Sequence, residues 1–228
     1  MNEELAPASP DTYTMSGCLC ATINKEGMRA FFAEDTGAPF EFKIPEWATK
    51  LPEGQELHRT AKRVYTTEWW MENSNDYDDL FESEFSRDQL VCLAVGYFDW
   101  VKNSSNMMEE AKNYKLSHLF LHNSKRENRR LLGDYVMNQN DFNCGREFPD
   151  TISYCGWSLD LHHIKGMFSG KEGPFFSNHN VGINPVPFRC LYSKNIDNLM
   201  FAGRNISVTH AAMSSSRVMA TCAILGQA

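Results

Sequence analysis

Apolar residues recur at helical spacing between Arg87 and Val101, where Leu90, Val91, Leu93, Ala94, Tyr97, Phe98 and Val101 give one apolar face. The pattern predicts a helix with Ser86 as its N-cap, ended by Asn103-Ser104-Ser105. A shorter helix is predicted over Met107–Tyr114. Strand-like alternation marks Cys18–Ile23 and Phe40–Ile44, with turn chemistry at Glu34-Asp35-Thr36-Gly37 between them. His118–His122 predicts a strand centred on Leu119, Phe120 and Leu121. In Arg126–Asn140 an apolar run follows a basic cluster, and Gly133 within it suggests a bulged strand or a close backbone approach. Ile152–Leu161 predicts a strand interrupted at Gly156. Lys165–Pro187, rich in Gly, Pro, Asn and Ser, predicts loop. Phe188–Tyr192 and Leu199–Ala202 predict short buried strands, and Ser214–Leu225 a helix.

This alternation predicts an α+β chain. Residues 1–16 form an entry segment. Residues 17–192 form a substrate domain with a mixed or antiparallel sheet and flanking helices, and residues 193–228 belong to a different unit. The 228 residues are 42% hydrophobic and 12% aromatic, enough for a packed core. A net charge of −7 argues against a nucleic-acid partner, because duplex affinity needs clustered Lys and Arg. No apolar run approaches the ~20 residues of a membrane helix, and Met1–Pro10 lacks the pattern of a secretory signal. A soluble chain with no membrane partner is expected. The seven scattered cysteines do not form a disulfide framework.

The carboxy-terminal stretch carries the clearest chemistry. In Asn198-Leu-Met-Phe-Ala-Gly-Arg-Asn-Ile-Ser207 a predicted strand runs into Ala202-Gly203, where small residues let a backbone approach a ligand. A polar loop follows, and a helix opens near Ser214–Ser216. Ligands in open α/β sheets sit past the carboxyl ends of strands. A helix start favours negative charge there. A purely structural crossover has the same pattern.

Asn198–His210, Ser216–Ala223 and Leu225–Ala228 together resemble the C-terminal flavin motif of a large family of FAD-dependent oxidoreductases, distant relatives of the fumarate reductase flavoproteins. Lys125–Tyr135, Phe148-Pro149-Asp150, Gly156–His162 and Pro187–Tyr192 resemble the same family, in its order. The resemblance implies FAD as cofactor. It also implies that residues 193–228 are the closing strand–loop–helix of a Rossmann-like FAD-binding domain. Cofactor-binding roles then fall on Ala202, Gly203, Arg204, Asn205, Ser207, Ser216, Val218 and Met219. Arg204 stands where many flavoproteins carry an acidic residue. Reaching the pyrophosphate and shaping the loop are both open to it. The family's G-x-G-x-x-G turn is absent from the chain. A fragment is therefore expected, whose partner is the missing N-terminal dinucleotide-binding half of the same protein.

On the substrate side, Arg126, Arg129 and Arg130 suit carboxylates and other oxyanions, or serve as salt-bridging surface residues. On a strand, Asp160 and His162 share a face, where a carboxylate can orient an imidazole for proton transfer. A metal role for that pair needs further ligands, such as His179 or His210, and no metal is expected. His210 and Arg217 flank the predicted cofactor loop. The catalytic candidates are thus His162, His210, Arg217, Asp160 and Arg130, with His162 or His210 as base and Arg217 as donor to developing charge. Tyr97, Trp100, Trp157 and Trp69-Trp70 line a ring-binding pocket or belong to the core. The functional expectation is hydride transfer between a small organic substrate, carbohydrate-like among the candidates, and flavin. A non-catalytic ligand-binding or interaction module is the alternative, and a metal hydrolase built on Asp160 and His162 the third reading.

Overall fold

The computed structural model describes residues 33–51, 71–73, 78, 81–119, 127, 129–172 and 175–228. The strand expected at Cys18–Ile23, the Trp69-Trp70 pair, Arg126 and residues 120–122 of the strand expected at His118–His122 lie outside them. The chain divides into two compact units.

The first unit draws on Ser16–Lys125 and His163–Pro174. Its centre is helix α1, Ser83–Asn103. The predicted stripe is its buried face: Leu90, Leu93, Ala94, Tyr97, Phe98 and Val101 cluster with Trp100, Met71 and Met167. Glu84 in the first turn and Lys102 in the last match the helix dipole. The start differs from the expectation. Glu82, not Ser86, is the N-cap, because the chain turns at Asp78, whose carbonyl accepts from Glu82 N–H at 2.6 Å. Ser86 lies buried inside the helix. At Gly96 a side chain is excluded by the loop before it, since an added Cβ would sit 1.8 Å from the Thr49 carbonyl oxygen.

Strand β1 (Ala33–Asp35) pairs antiparallel with β2 (Tyr114–Leu116), and α2 (Met108–Ala111) lies between α1 and β2. The predicted turn begins one residue after β1, at Thr36-Gly37, where Gly37 has φ 71°. The helix expected over Met107–Tyr114 is cut short by Lys102. Its buried ammonium donates to the carbonyls of Ala111 (2.9 Å), Lys112 (2.9 Å) and Tyr114 (2.8 Å), which fixes the chain as it leaves α2. Burial lowers the Lys102 pKa. Residues 40–44 form no strand. Phe40 N–H instead donates to Lys112 O, and the Phe42 ring packs edge-on against Phe98 at 5.0 Å.

The second unit draws on Arg126–His162 and Phe175–Ala228. Helix α3 (Gln139–Asn143) opens with a capping box between Asn138 and Asp141. The strand expected over Ile152–Leu161 is two strands split around Gly156. Strand β3 (Thr151–Cys155) and strand β4 (Leu159–His162) pair antiparallel with different partners. These partners, β5 (Phe175–His179) and β6 (Asn184–Pro187), lie in the region expected to be loop. Pro185 and Pro187 fit β6 because a two-stranded ladder leaves one edge of each strand unpaired.

Two further expectations are corrected. Phe188–Cys190 is a 3-10 turn rather than strand. Asp150 clamps it, accepting from the Arg189 backbone N–H (3.1 Å) and from Arg189 Nε (2.9 Å). Leu199–Ala202 contributes a single bridge, Tyr192 to Met200. The predicted final helix is two helices, α4 (His210–Ser216) and α5 (Met219–Gln227). Thr209 caps α4 through its side chain, which starts the helix four residues early. Extended Val218 breaks it. Among the described residues, no helix is long and apolar enough to cross a membrane.

Replacing Lys102 by Met keeps the stem and strands three carbonyls. Chemical denaturation is expected to show a loss of about 2–3 kcal/mol. An unchanged midpoint would refute the staple. Alkylation tests the second core. Burial pushes the Cys155 thiol up to about 11 and that of Cys190 up to about 12. In native protein both are expected to stay unlabelled by iodoacetamide while exposed Cys144 reacts, read by peptide mass spectrometry.

Candidate functional site

The expected cofactor segment is an exposed loop between two anchored stretches. Phe201 N–H donates to Leu191 O at 2.8 Å on one side. On the other, Ser207 N–H donates to Cys190 O at 2.9 Å, and Ile206 and Val208 enter the core. Between them Ala202, Arg204 and Asn205 face solvent. Gly203 makes the turn with φ 108°, a conformation that side-chain-bearing residues rarely adopt. The loop is backed by residues 131–137. Leu131 N–H donates to Asn205 O (2.9 Å) and Met137 N–H to Ser207 O (3.1 Å). Gly133 permits this close approach, as its sequence position suggested, because an added Cβ would lie 2.5 Å from Arg189 O and 3.0 Å from Ser207 Cβ.

Helix α5 runs beside the loop. A Cβ added at Gly203 would lie 3.8 Å from Cys222 Sγ, and one added at Gly226 would lie 3.9 Å from Ala202 Cβ. Val218 gives the α5 start no side-chain cap, and Met219 is 89% exposed there. Burial raises the Cys222 pKa and Arg204 opposes the shift. Ser207 and Ser216 are buried instead. Ser216 Oγ donates to Ala212 O within the last turn of α4, and Ser207 Oγ takes no hydrogen bond among the described residues. Ala202, Arg204 and Asn205 face solvent here, and the uncapped start of α5 is the positive end of its helix dipole.

The five catalytic candidates fall into two ionic clusters. In one, Arg217 donates to Asp160 Oδ2 at 2.7 Å, and His162 Nε2 lies 3.5 Å from the same oxygen. Strand alternation in β4 brings Asp160 and His162 together, and Arg217 arrives as the C-cap of α4. In the other, His210 Nδ1 lies 3.0 and 3.1 Å from the two carboxylate oxygens of Glu127, which also accepts from Arg130. His210 opens α4 and Arg217 closes it. Seven residues separate the clusters by about 10 Å.

Glu127 was not singled out in the sequence. It is the one acid within the run Lys125–Arg130, three residues before Arg130, and that spacing was the available signal. Other candidates separate from the clusters. Arg129 is exposed, and His179 is exposed at the end of β5. Tyr97 and Trp100 belong to the core, stacked at 5.7 Å, whereas Trp157 is exposed and its carbonyl accepts from Ser215 Oγ at 2.5 Å. Among the described residues, no group of three His, Cys, Asp or Glu is placed to hold a metal ion.

Asp160→Asn tests the first cluster, because it removes the charge that a largely buried guanidinium faces. A loss of about 2–3 kcal/mol is expected in guanidinium denaturation. Coupling to Arg217→Gln in a double-mutant cycle is the check, and additive effects would contradict a direct pair.

A family model described as FAD dependent oxidoreductase matches residues 8–228. No curated protein matches the chain, and no solved structure does.

Proposed function

The chain belongs to the FAD dependent oxidoreductase family, and we propose that it transfers a hydride between a small organic substrate, carbohydrate-like among the candidates, and its flavin. The observation that carries this reading is the Ala202–Asn205 loop, turned at Gly203 and packed against α5 through Cys222 and Gly226.

Bound FAD supplies a two-electron acceptor. Ala202, Gly203, Arg204, Asn205, Val218 and Met219 hold its ring side, with Ser207 and Ser216 bracing the loop and α4 from beneath. The α5 N–H groups favour the negative charge that reduction brings. The chain contains no G-x-G-x-x-G turn. Residues 193–228 are read as the closing strand–loop–helix of a Rossmann-like FAD-binding domain.

On the substrate side, Asp160 holds the Arg217 guanidinium in a fixed direction, where it meets an oxyanion on the substrate. Oxidation of a substrate by hydride loss releases a proton as well, from the hydroxyl when the substrate is an alcohol, so a base is needed. His210 and His162 are the candidate bases, and Arg130 supports the first through Glu127.

The visible spectrum of the purified full-length protein is the test. The flavin band is expected, and Gly203→Leu is expected to abolish it while circular dichroism stays unchanged, because φ 108° strains any residue with a Cβ. A colourless full-length protein that gains no flavin band when FAD is added would overturn the reading.

A further inference from the structure

We infer that Glu127 is a positioning residue that fixes the tautomer of His210 and makes its Nε2 the proton acceptor of the site. The inference rests on the flavin-dependent reading above.

Both oxygens of Glu127 lie at hydrogen-bond distance from His210 Nδ1, at 3.0 and 3.1 Å. A carboxylate only accepts, so Nδ1 must carry the proton and donate it. The neutral ring then has its lone pair on Nε2, which takes no hydrogen bond among the described residues. Geometry holds this arrangement from three sides. Arg130 donates to Oε1 of Glu127, so the carboxylate is fixed in turn. His210 is fixed at the first turn of α4 by the Thr209 cap. Glu127 is 1% exposed, so water does not compete for its oxygens. The other imidazole is less suited to the role, because its Nε2 faces an Asp160 oxygen that is already bonded to Arg217.

The chemistry balances. The substrate O–H bond breaks and its proton passes to Nε2. The electron pair left on oxygen forms the new C=O bond. The C–H bond breaks and its pair leaves as hydride to FAD, which is reduced by two electrons as the substrate is oxidised by two. The imidazolium so formed faces the Glu127 carboxylate, which stabilises it.

Glu127→Leu removes both acceptor oxygens that face Nδ1. Nitrogen-15 NMR of histidine-labelled protein at about pH 8, above the ordinary imidazole range, reads the tautomer directly. The His210 signals are assigned by their loss in His210→Gln. The wild type is expected to show the Nδ1–H tautomer, and Glu127→Leu to lose that preference. A wild-type ring protonated on Nε2 overturns the inference without any variant being needed, and so does an unchanged tautomer in Glu127→Leu. Visible spectra of the same samples separate the two readings. Loss of the flavin band speaks against the flavoenzyme, whereas a wrong tautomer in a yellow protein speaks against Glu127.

Discussion

Helix α4 is pinned at both ends by a carboxylate from another part of its unit. Glu127 holds His210 at the start, and Asp160 holds Arg217 at the finish. A buried or half-buried charge is tolerated only with a partner in good geometry, so each pair fixes where two segments meet. The first ties the 127–130 segment to α4, and the second ties β4 to it. With α4 fixed, the short break at Val218 determines where α5 begins, and α5 lies along the Gly203 loop. The imidazole, the guanidinium and the Gly203 loop are thereby referred to one seven-residue helix.

Stability and chemistry make opposite demands on that helix. Ser214, Ser215 and Ser216 are all buried, and each hydroxyl donates to a carbonyl, two of them inside α4 and one at Trp157. Such bonding back weakens a helix. Here it removes three polar groups from the list of those needing water and leaves the helix surface free for close packing. The glycines serve the same end. Gly133 lets the backing segment touch the loop, and Gly203 turns it.

The parts legible in the sequence were those governed by local period. The α1 stripe from Leu90 to Val101 was readable because one face of a long helix must be apolar to be buried. The interruption at Gly156 and the close approach at Gly133 were readable because glycine has few other uses inside an apolar run. The misread elements were governed by distant partners. Residues 188–190 have the composition of a strand, yet Asp150, thirty-nine positions away, bends them through Arg189. Lys102, at the end of α1, shortens a helix that begins after it. Ser86 had the chemistry of a cap, but a turn at Asp78 placed the cap at Glu82. Glu127 was hidden for the same reason. Its partner His210 lies 83 positions along the chain, and no periodicity reports such a pair.

The site candidates taken from strand alternation and from family resemblance fall in one compact unit. The most direct measurement is a crystal structure of the full protein with FAD bound. The isoalloxazine ring is expected against Ala202–Asn205 and the start of α5, on the surface that Met219 leaves exposed. A ring bound elsewhere, with that surface covered by protein, would contradict the account.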